Sequence, residues 1–256
     1  MQVKGLSEEW VKTIDTVLTN YLYYVKWDFD KTKTLDYIIK LQKKYCVCSY
    51  RKKVYQIRKF LNHNGIKWAN SIQPPSEPVN PVIHITEQQI NETLDFFKNH
   101  ERKKQLTALI KLGADTGARA EELYQLNPSD LDIENRVLHI NHNPASGQTT
   151  KTKQSRVSFF TEETRKVLVE YFDYFNNESG LTRLFEERYI QRQFKNAPIK
   201  VKHLRKYFSQ TWTRKNGNNA VKKLLMGHST RNDVDLQHYN TQSTDELKTV
   251  YDKVMG

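Results

Sequence analysis

In the run Asp115-Thr116-Gly117-Ala118-Arg119-Ala120-Glu121-Glu122-Leu123, an arginine follows a glycine turn and sits near the start of a helix. A guanidinium there can aim a planar, permanently charged fork at a phosphate, beside a helix N-terminus that itself attracts anions. The plain alternative is a surface arginine, or one paired with Glu122. Much further along comes Val201-Lys202-His203-Leu204-Arg205-Lys206-Tyr207-Phe208. Residues three apart on a helix share a face, so Lys202 and Arg205 point together while His203 points elsewhere. Leu225-Met226-Gly227-His228 places a histidine behind a glycine that allows close backbone approach at a helix terminus. His238-Tyr239-Asn240 follows. A phenol is a poor nucleophile at neutral pH and needs its anion stabilised, which clustered cations and a histidine can do. A lone histidine is ordinarily incidental, and most of the 14 tyrosines must be packing residues. Position in an ordered set has to select them.

The bulk composition favours a polyanionic partner. Lys and Arg number 41 against 29 Asp and Glu, a formal charge of +12, and the pI is near 9.5, which suits nucleic acid. A chain of 256 residues with 37% hydrophobic and 27% charged content fits a globular protein of one or two domains. No run approaches the roughly 18 apolar residues of a membrane span, and the N-terminus has no apolar core after a basic start, so an intracellular location without a membrane is expected. The only cysteines, Cys46 and Cys48, are too close for normal disulfide geometry and lack a second ligand pair for zinc, so they read as two thiols on a helix. Walker A, HExxH and paired CxxC motifs are absent from the sequence, as is an acidic cluster suited to two magnesium ions.

In this order the pieces resemble the tyrosine recombinase (phage integrase) family, whose catalytic domain carries TGxRxxEL, a lysine in a β-hairpin, HxLRH, LGH and a tyrosine. The resemblance spans roughly residues 83–256, and the helical N-terminal part would be similar to the family's core-binding domain. It implies a site-specific DNA recombinase that acts on double-stranded DNA through a 3′-phosphotyrosyl intermediate, with no cofactor or metal, as a homo-tetramer on two DNA sites, DNA-associated in a prokaryotic host. Arg119 and Arg205 would hold the scissile phosphate, with a structural salt bridge to Glu122 as the alternative. Lys151 would protonate the leaving 5′ oxygen, Lys153 being the alternative because a two-residue shift keeps the same strand face. Lys202 stands where the first histidine of HxLRH is usual, and Lys206 replaces the second. This KxxR variant is similar to integrases of archaeal viruses and plasmids. His228 would bond the phosphate and place Tyr239, the nucleophile, 11 residues on rather than the nine expected of bacterial relatives. Two other functions fit the same motifs: a DNA-binding protein of this fold that does not cut, and type IB topoisomerase-like strand relaxation.

The elements that must position these residues read as mainly α with a small β-hairpin (α+β). Helical spacing runs through residues 6–70, in Ile14, Val17, Leu18 and Tyr21, then Leu35, Ile38, Ile39 and Leu41. A third helix near 49–62 mixes Arg51, Lys52, Lys53, Arg58 and Lys59 with aromatics and stops at Asn64-Gly65. Its basic face is either solvated or turned to phosphates. Residues 73–82 hold four prolines in ten positions and read as an extended linker, giving a helical domain 1–73, a linker 74–82 and a catalytic domain 83–256. Thr86 and Gln89 form a capping box that opens a helix towards Asn99, and another helix covers 103–116. Val137–Ile140 and Ser155–Phe159 alternate as a hairpin, with 150–153 beginning its second strand. Helices resume from Thr161. The last, 243–254, is amphipathic through Leu247, Val250, Tyr251 and Val254 and docks on its own domain or on a neighbouring protomer.

Overall fold

The structure is a computed structural model that describes residues 8–77, 81–177, 180–181, 183–228 and 243–256. Two compact units are present, Met1–Val82 and Ile83–Gly256. The first is all helical: α1 (Glu8–Val25), α2 (Lys31–Lys44), α3 (Val47–His63) and a 3₁₀ turn (Lys67–Ser71). Its core is the set of helix faces that the apolar spacing marks, with Tyr21, Val25, Val54, Ile57 and Leu61 fully buried. The Tyr21 hydroxyl is not left unpaired there, since it shares a 2.8 Å hydrogen bond with Thr34 Oγ1. Asp30 caps α2 by accepting from Lys33 N, and α3 ends in Gly65 at φ +76°, which returns Ile66 N to Leu61 O at 3.1 Å. On the basic face of α3, Arg51 Nε donates to Pro75 O at 3.0 Å, so one of its cations fastens the following segment. Lys52 and Lys59 stay exposed. Cys46 is the N-cap of α3 and Cys48 lies in its first turn; both are free thiols.

The second unit is built on α5 (Lys103–Thr116). Leu106, Ala108, Leu109, Ile110 and Leu112 are fully buried along it, with α7 (Glu162–Asn177) and α9 (Val201–Arg214) packed against it. Before it stands α4 (Glu87–Phe96), whose capping box from Thr86 and Gln89 forms as expected, although the helix ends three residues short of Asn99. After it come α6 (Ala120–Tyr124) and a three-stranded antiparallel sheet in the order β1 (Leu131–Asp132), β2 (Val137–Ile140), β3 (Arg156–Phe159). The β2–β3 register pairs Val137 with Phe159 and Ile140 with Arg156. Two more helices are α8 (Glu187–Gln193) and α10 (Asn219–Met226), the latter packed against α9 and β3. The terminal helix α11 (Thr244–Met255) docks on its own unit: Tyr251 is fully buried between Phe159 and Trp212 and donates to Asp115 O at 3.1 Å. The fold is thus mainly helical with a small sheet. Among the described residues no helix is long and apolar enough to cross a membrane.

Candidate active site

Gly117 ends α5 in the left-handed region at φ +62°, and a Cβ there would lie 2.4 Å from Phe208 Cδ1. Only glycine permits the turn and the close approach of α9 together. The turn delivers Arg119 to the N-cap of α6, and the carbonyl of Gly117 accepts Arg205 Nη1 from α9 at 2.6 Å. The two arginines that the sequence separates by 86 positions are therefore brought to one turn.

Glu122, with its side chain only 3% exposed, organises this cluster. Its carboxylate accepts four N–H groups: Arg119 N at 2.7 Å, Arg119 Nη1 at 2.8 Å, and the two terminal nitrogens of Arg156 at 3.0 and 2.6 Å. Burial alone would raise its pKa, but Arg156 and Arg119 together bring it down from 4.5 to about 2. A carboxylate with a depressed folded-state pKa stabilises the fold above its unfolded value and loses that contribution as the pH falls. The interval between 4.5 and about 2 corresponds to about 3 kcal/mol. Acid titration of thermal unfolding is expected to show this loss within that interval, and Glu122→Gln, which flattens it, is expected to be less stable at neutral pH by roughly 3 kcal/mol. An acid limb as steep in the variant as in the wild type would refute the assignment.

His228 closes the site from α10. Gly227, at φ +63°, terminates α10, with Gly227 N bonded to Leu224 O at 2.9 Å and His228 N to Lys223 O at 3.0 Å, the Schellman pairing. Arg119 Nη2 donates to Gly227 O at 3.1 Å. His228 is exposed, yet partial burial of its ring and the cations of Arg205, Arg119, Lys222 and Arg156 lower its pKa. It is neutral at physiological pH, able to donate from one nitrogen and accept at the other. Arg205 is more buried, and burial with its neighbours Arg119 and Arg156 pushes its pKa down to about 10, so it remains a cation.

Lys202 lies one turn before Arg205 on α9, exposed, beside Ala120 and Glu121 of α6. His203, its neighbour, serves the helix instead: its Nδ1 accepts from Lys200 N at 3.3 Å. Lys151 is not on a strand, because residues 150–153 form a turn rather than the start of β3. Lys153 N donates to Thr150 O at 3.1 Å, Thr150 Oγ1 accepts from Gln154 N at 3.1 Å, Lys153 adopts φ +56°, and β3 begins only at Arg156. Both lysines are exposed. The loop before them is anchored towards α6, since Thr149 N donates to Gln125 Oε1 at 2.6 Å and Gln148 Nε2 to buried Asp130 at 2.7 Å. Tyr239 lies outside the described residues.

Residues 84–247, which include every one of these positions, match the Phage integrase family. The chain belongs to the phage integrase family. Among relatives, it is 29% identical over 214 residues to the tyrosine recombinase XerA of Saccharolobus solfataricus, a match covering 79% of this chain and 66% of that protein. Its fold is that of the Tn1549 transposon integrase, solved with circular intermediate DNA (TM-score 0.67, 16% identity, 97% of this chain and 94% of that one). The integrase of mycobacterium phage Brujita is similar at TM-score 0.51 and 13% identity over 98% of this chain and 88% of that one. What the motifs of this family member did not disclose is Arg156, which reads as an ordinary strand residue. The one signal available was a cation opening a strand that otherwise faces the core.

Proposed function

We propose that the chain is a site-specific DNA recombinase that breaks and rejoins DNA strands through a covalent bond between Tyr239 and a 3′ phosphate. The observation that carries this reading is the convergence of Arg119, Arg205 and His228 on one turn, in a cluster where three guanidiniums face the single carboxylate of Glu122. Such a cluster has cationic charge to spare for a phosphate. Tyr239 Oη attacks the phosphorus and releases its phenolic proton to water; the bond from phosphorus to O5′ breaks, and Lys151 supplies the proton that makes O5′ a hydroxyl. Arg119 and Arg205 hold the nonbridging oxygens as charge accumulates on them, His228 bonds one of these oxygens, and Lys202 lends a further cation from α9. A 5′ hydroxyl from another strand then reverses the step and restores the phosphodiester. The bond energy stays in the adduct, so neither ATP nor a metal is required. The helical unit, taken as residues 1–73 with 74–82 as linker, would grip the duplex together with the catalytic domain 83–256, and four copies would act on two sites. Membership of the family and the net charge of +12 support this partner.

The test is incubation of the full chain with labelled supercoiled and linear duplex DNA in the presence of a chelator, followed by denaturing gels. A covalent adduct with strands exchanged at a defined site is the expected result. Binding without an adduct would indicate a non-cutting DNA-binding protein, and relaxation with no preferred site a topoisomerase.

Two further outcomes follow. Lys151→Ala is expected to slow cleavage by about 100-fold or more, and a substrate with sulfur in place of the bridging O5′ should restore the rate, because a thiol of pKa ~8.5 departs without being protonated. Rescue of Lys153→Ala in place of Lys151→Ala would transfer the role to Lys153. Because His228 is held neutral, cleavage should persist on acidification to a pH below the ordinary imidazole value of about 6.5, read from the pH dependence of the single-turnover rate. A limb at or above that value would contradict the neutral form.

A further inference from the structure

Arg156 joins three segments that carry the motifs. Its fork is spent on Glu122 of α6, at 3.0 and 2.6 Å, and its Nε donates to Leu225 O in the last turn of α10 at 2.9 Å. It is the first residue of β3, paired with Ile140, and lies directly after the turn that holds Lys151. Its side chain is 9% exposed, so its hydrogen bonds face inward and it is not a group that meets bulk solvent or DNA freely.

The contact with α10 is closer than a single hydrogen bond. A Cβ on Gly227 would fall 2.7 Å from Arg156 Cδ and 2.8 Å from its Cζ, so the guanidinium lies flat against the backbone that leads into His228. The last carbonyls of a helix lack intrahelical partners and carry partial negative charge. Arg156 takes the Leu225 carbonyl, and Arg119 takes that of Gly227 at 3.1 Å. The end of α10 is therefore clamped by two guanidiniums that are themselves locked to each other through one carboxylate.

We infer that Arg156 is a positioning residue that fixes the α10 terminus, and with it His228, against Arg119 and the Lys151 turn. Its consequence for the rate rests on the recombinase function proposed above; its consequence for the α10 terminus does not. A lysine at this position keeps the charge but cannot supply a fork to Glu122 and a third N–H to Leu225 together.

The test compares the full-length wild type with Arg156→Lys and with the pair Glu122→Gln/Arg156→Met, which keeps the net charge and removes the buried Glu122–Arg156 ion pair as a unit if the single variant folds poorly. In the free protein, amide exchange at Gly227 and His228 is expected to accelerate in Arg156→Lys, while α5 amides keep wild-type protection. On DNA the single-turnover cleavage rate should fall by about 100-fold, the effect of small misplacement in a reacting geometry, with the DNA dissociation constant unchanged. A small alkylguanidinium added to Arg156→Ala should recover part of that rate, which a general loss of stability would not allow. Unchanged exchange at Gly227 and His228 overturns the inference, as does wild-type cleavage by Arg156→Lys. If the wild type itself forms no adduct, the proposed function fails, and the exchange measurement still decides whether Arg156 holds the α10 terminus.

Discussion

Tyr239→Phe should form no covalent protein–DNA adduct at any time point while retaining wild-type affinity for duplex DNA. The substitution removes one oxygen from a residue 11 positions beyond His228 and leaves the guanidinium cluster intact. Among the described residues, neither of the two flanking tyrosines in the sequence substitutes in kind. Tyr251, the next tyrosine along, is fully buried and gives its hydroxyl to Asp115 O, and burial raises its pKa well above the ordinary value. Tyr207 is half-buried and also raised by burial. A phenol acts as nucleophile only where its anion is stabilised, and neither environment does this. Quantitative binding by gel shift beside adduct formation on denaturing gels gives the answer. An adduct in Tyr239→Phe, mapped to a different residue by peptide sequencing, would refute the choice of nucleophile.

The helical scaffold could be read from spacing and stop signals because those are local. The prediction of α5 over 103–116 is met to the residue, since an apolar period runs into Gly117, which alone accepts the left-handed turn. The hairpin was likewise carried by alternation in Val137–Ile140 and Ser155–Phe159, which pair as β2 and β3. The Thr150-Lys151-Thr152-Lys153 run misled for a reason equally local. Its polar and basic alternation looks like a strand edge, but the Thr150 hydroxyl bonds the backbone of Gln154 and closes a turn in its place. His203, which helix spacing sets apart from Lys202 and Arg205, accepts at its ring from Lys200 N at the start of α9.

Relations among distant residues were legible only where a family pattern ordered them. Arg119 and Arg205 stand out as motif arginines, and the carboxylate weighed as a salt-bridge alternative turns out to hold Arg119 while leaving it beside Arg205 and His228. A structural ion pair and a place in the cationic cluster are thus compatible for the same side chain. Arg156 could not be assigned in this way. Its partners lie 34 and 69 positions away, and no local period encodes a bond between the first residue of a strand and the last turn of a helix.

Arg205→Met should separate catalysis from stability more sharply than any other single change. Burial and the nearby Arg119 and Arg156 disfavour its charged form, drawing its pKa down to about 10, so at neutral pH the folded protein carries this cation at a cost. Among the described residues its anchor is a hydrogen bond to Gly117 O, worth about 1 kcal/mol net. Methionine keeps the stem buried and removes the repulsion, so the melting temperature is expected at or above that of the wild type. The adduct-forming rate, by contrast, should drop by about 100-fold to 1,000-fold, the usual loss when a preorganised donor to developing charge is deleted. DNA affinity should weaken only by the share of one phosphate contact, seen as a slightly shallower dependence on salt. A site held in tension for its chemistry predicts this combination of higher stability and lost cleavage. If Arg205→Met instead unfolded easily and its cleavage fell only in proportion to the folded fraction, Arg205 would be a structural tie to Gly117, and the phosphate would have to be held by Arg119 alone.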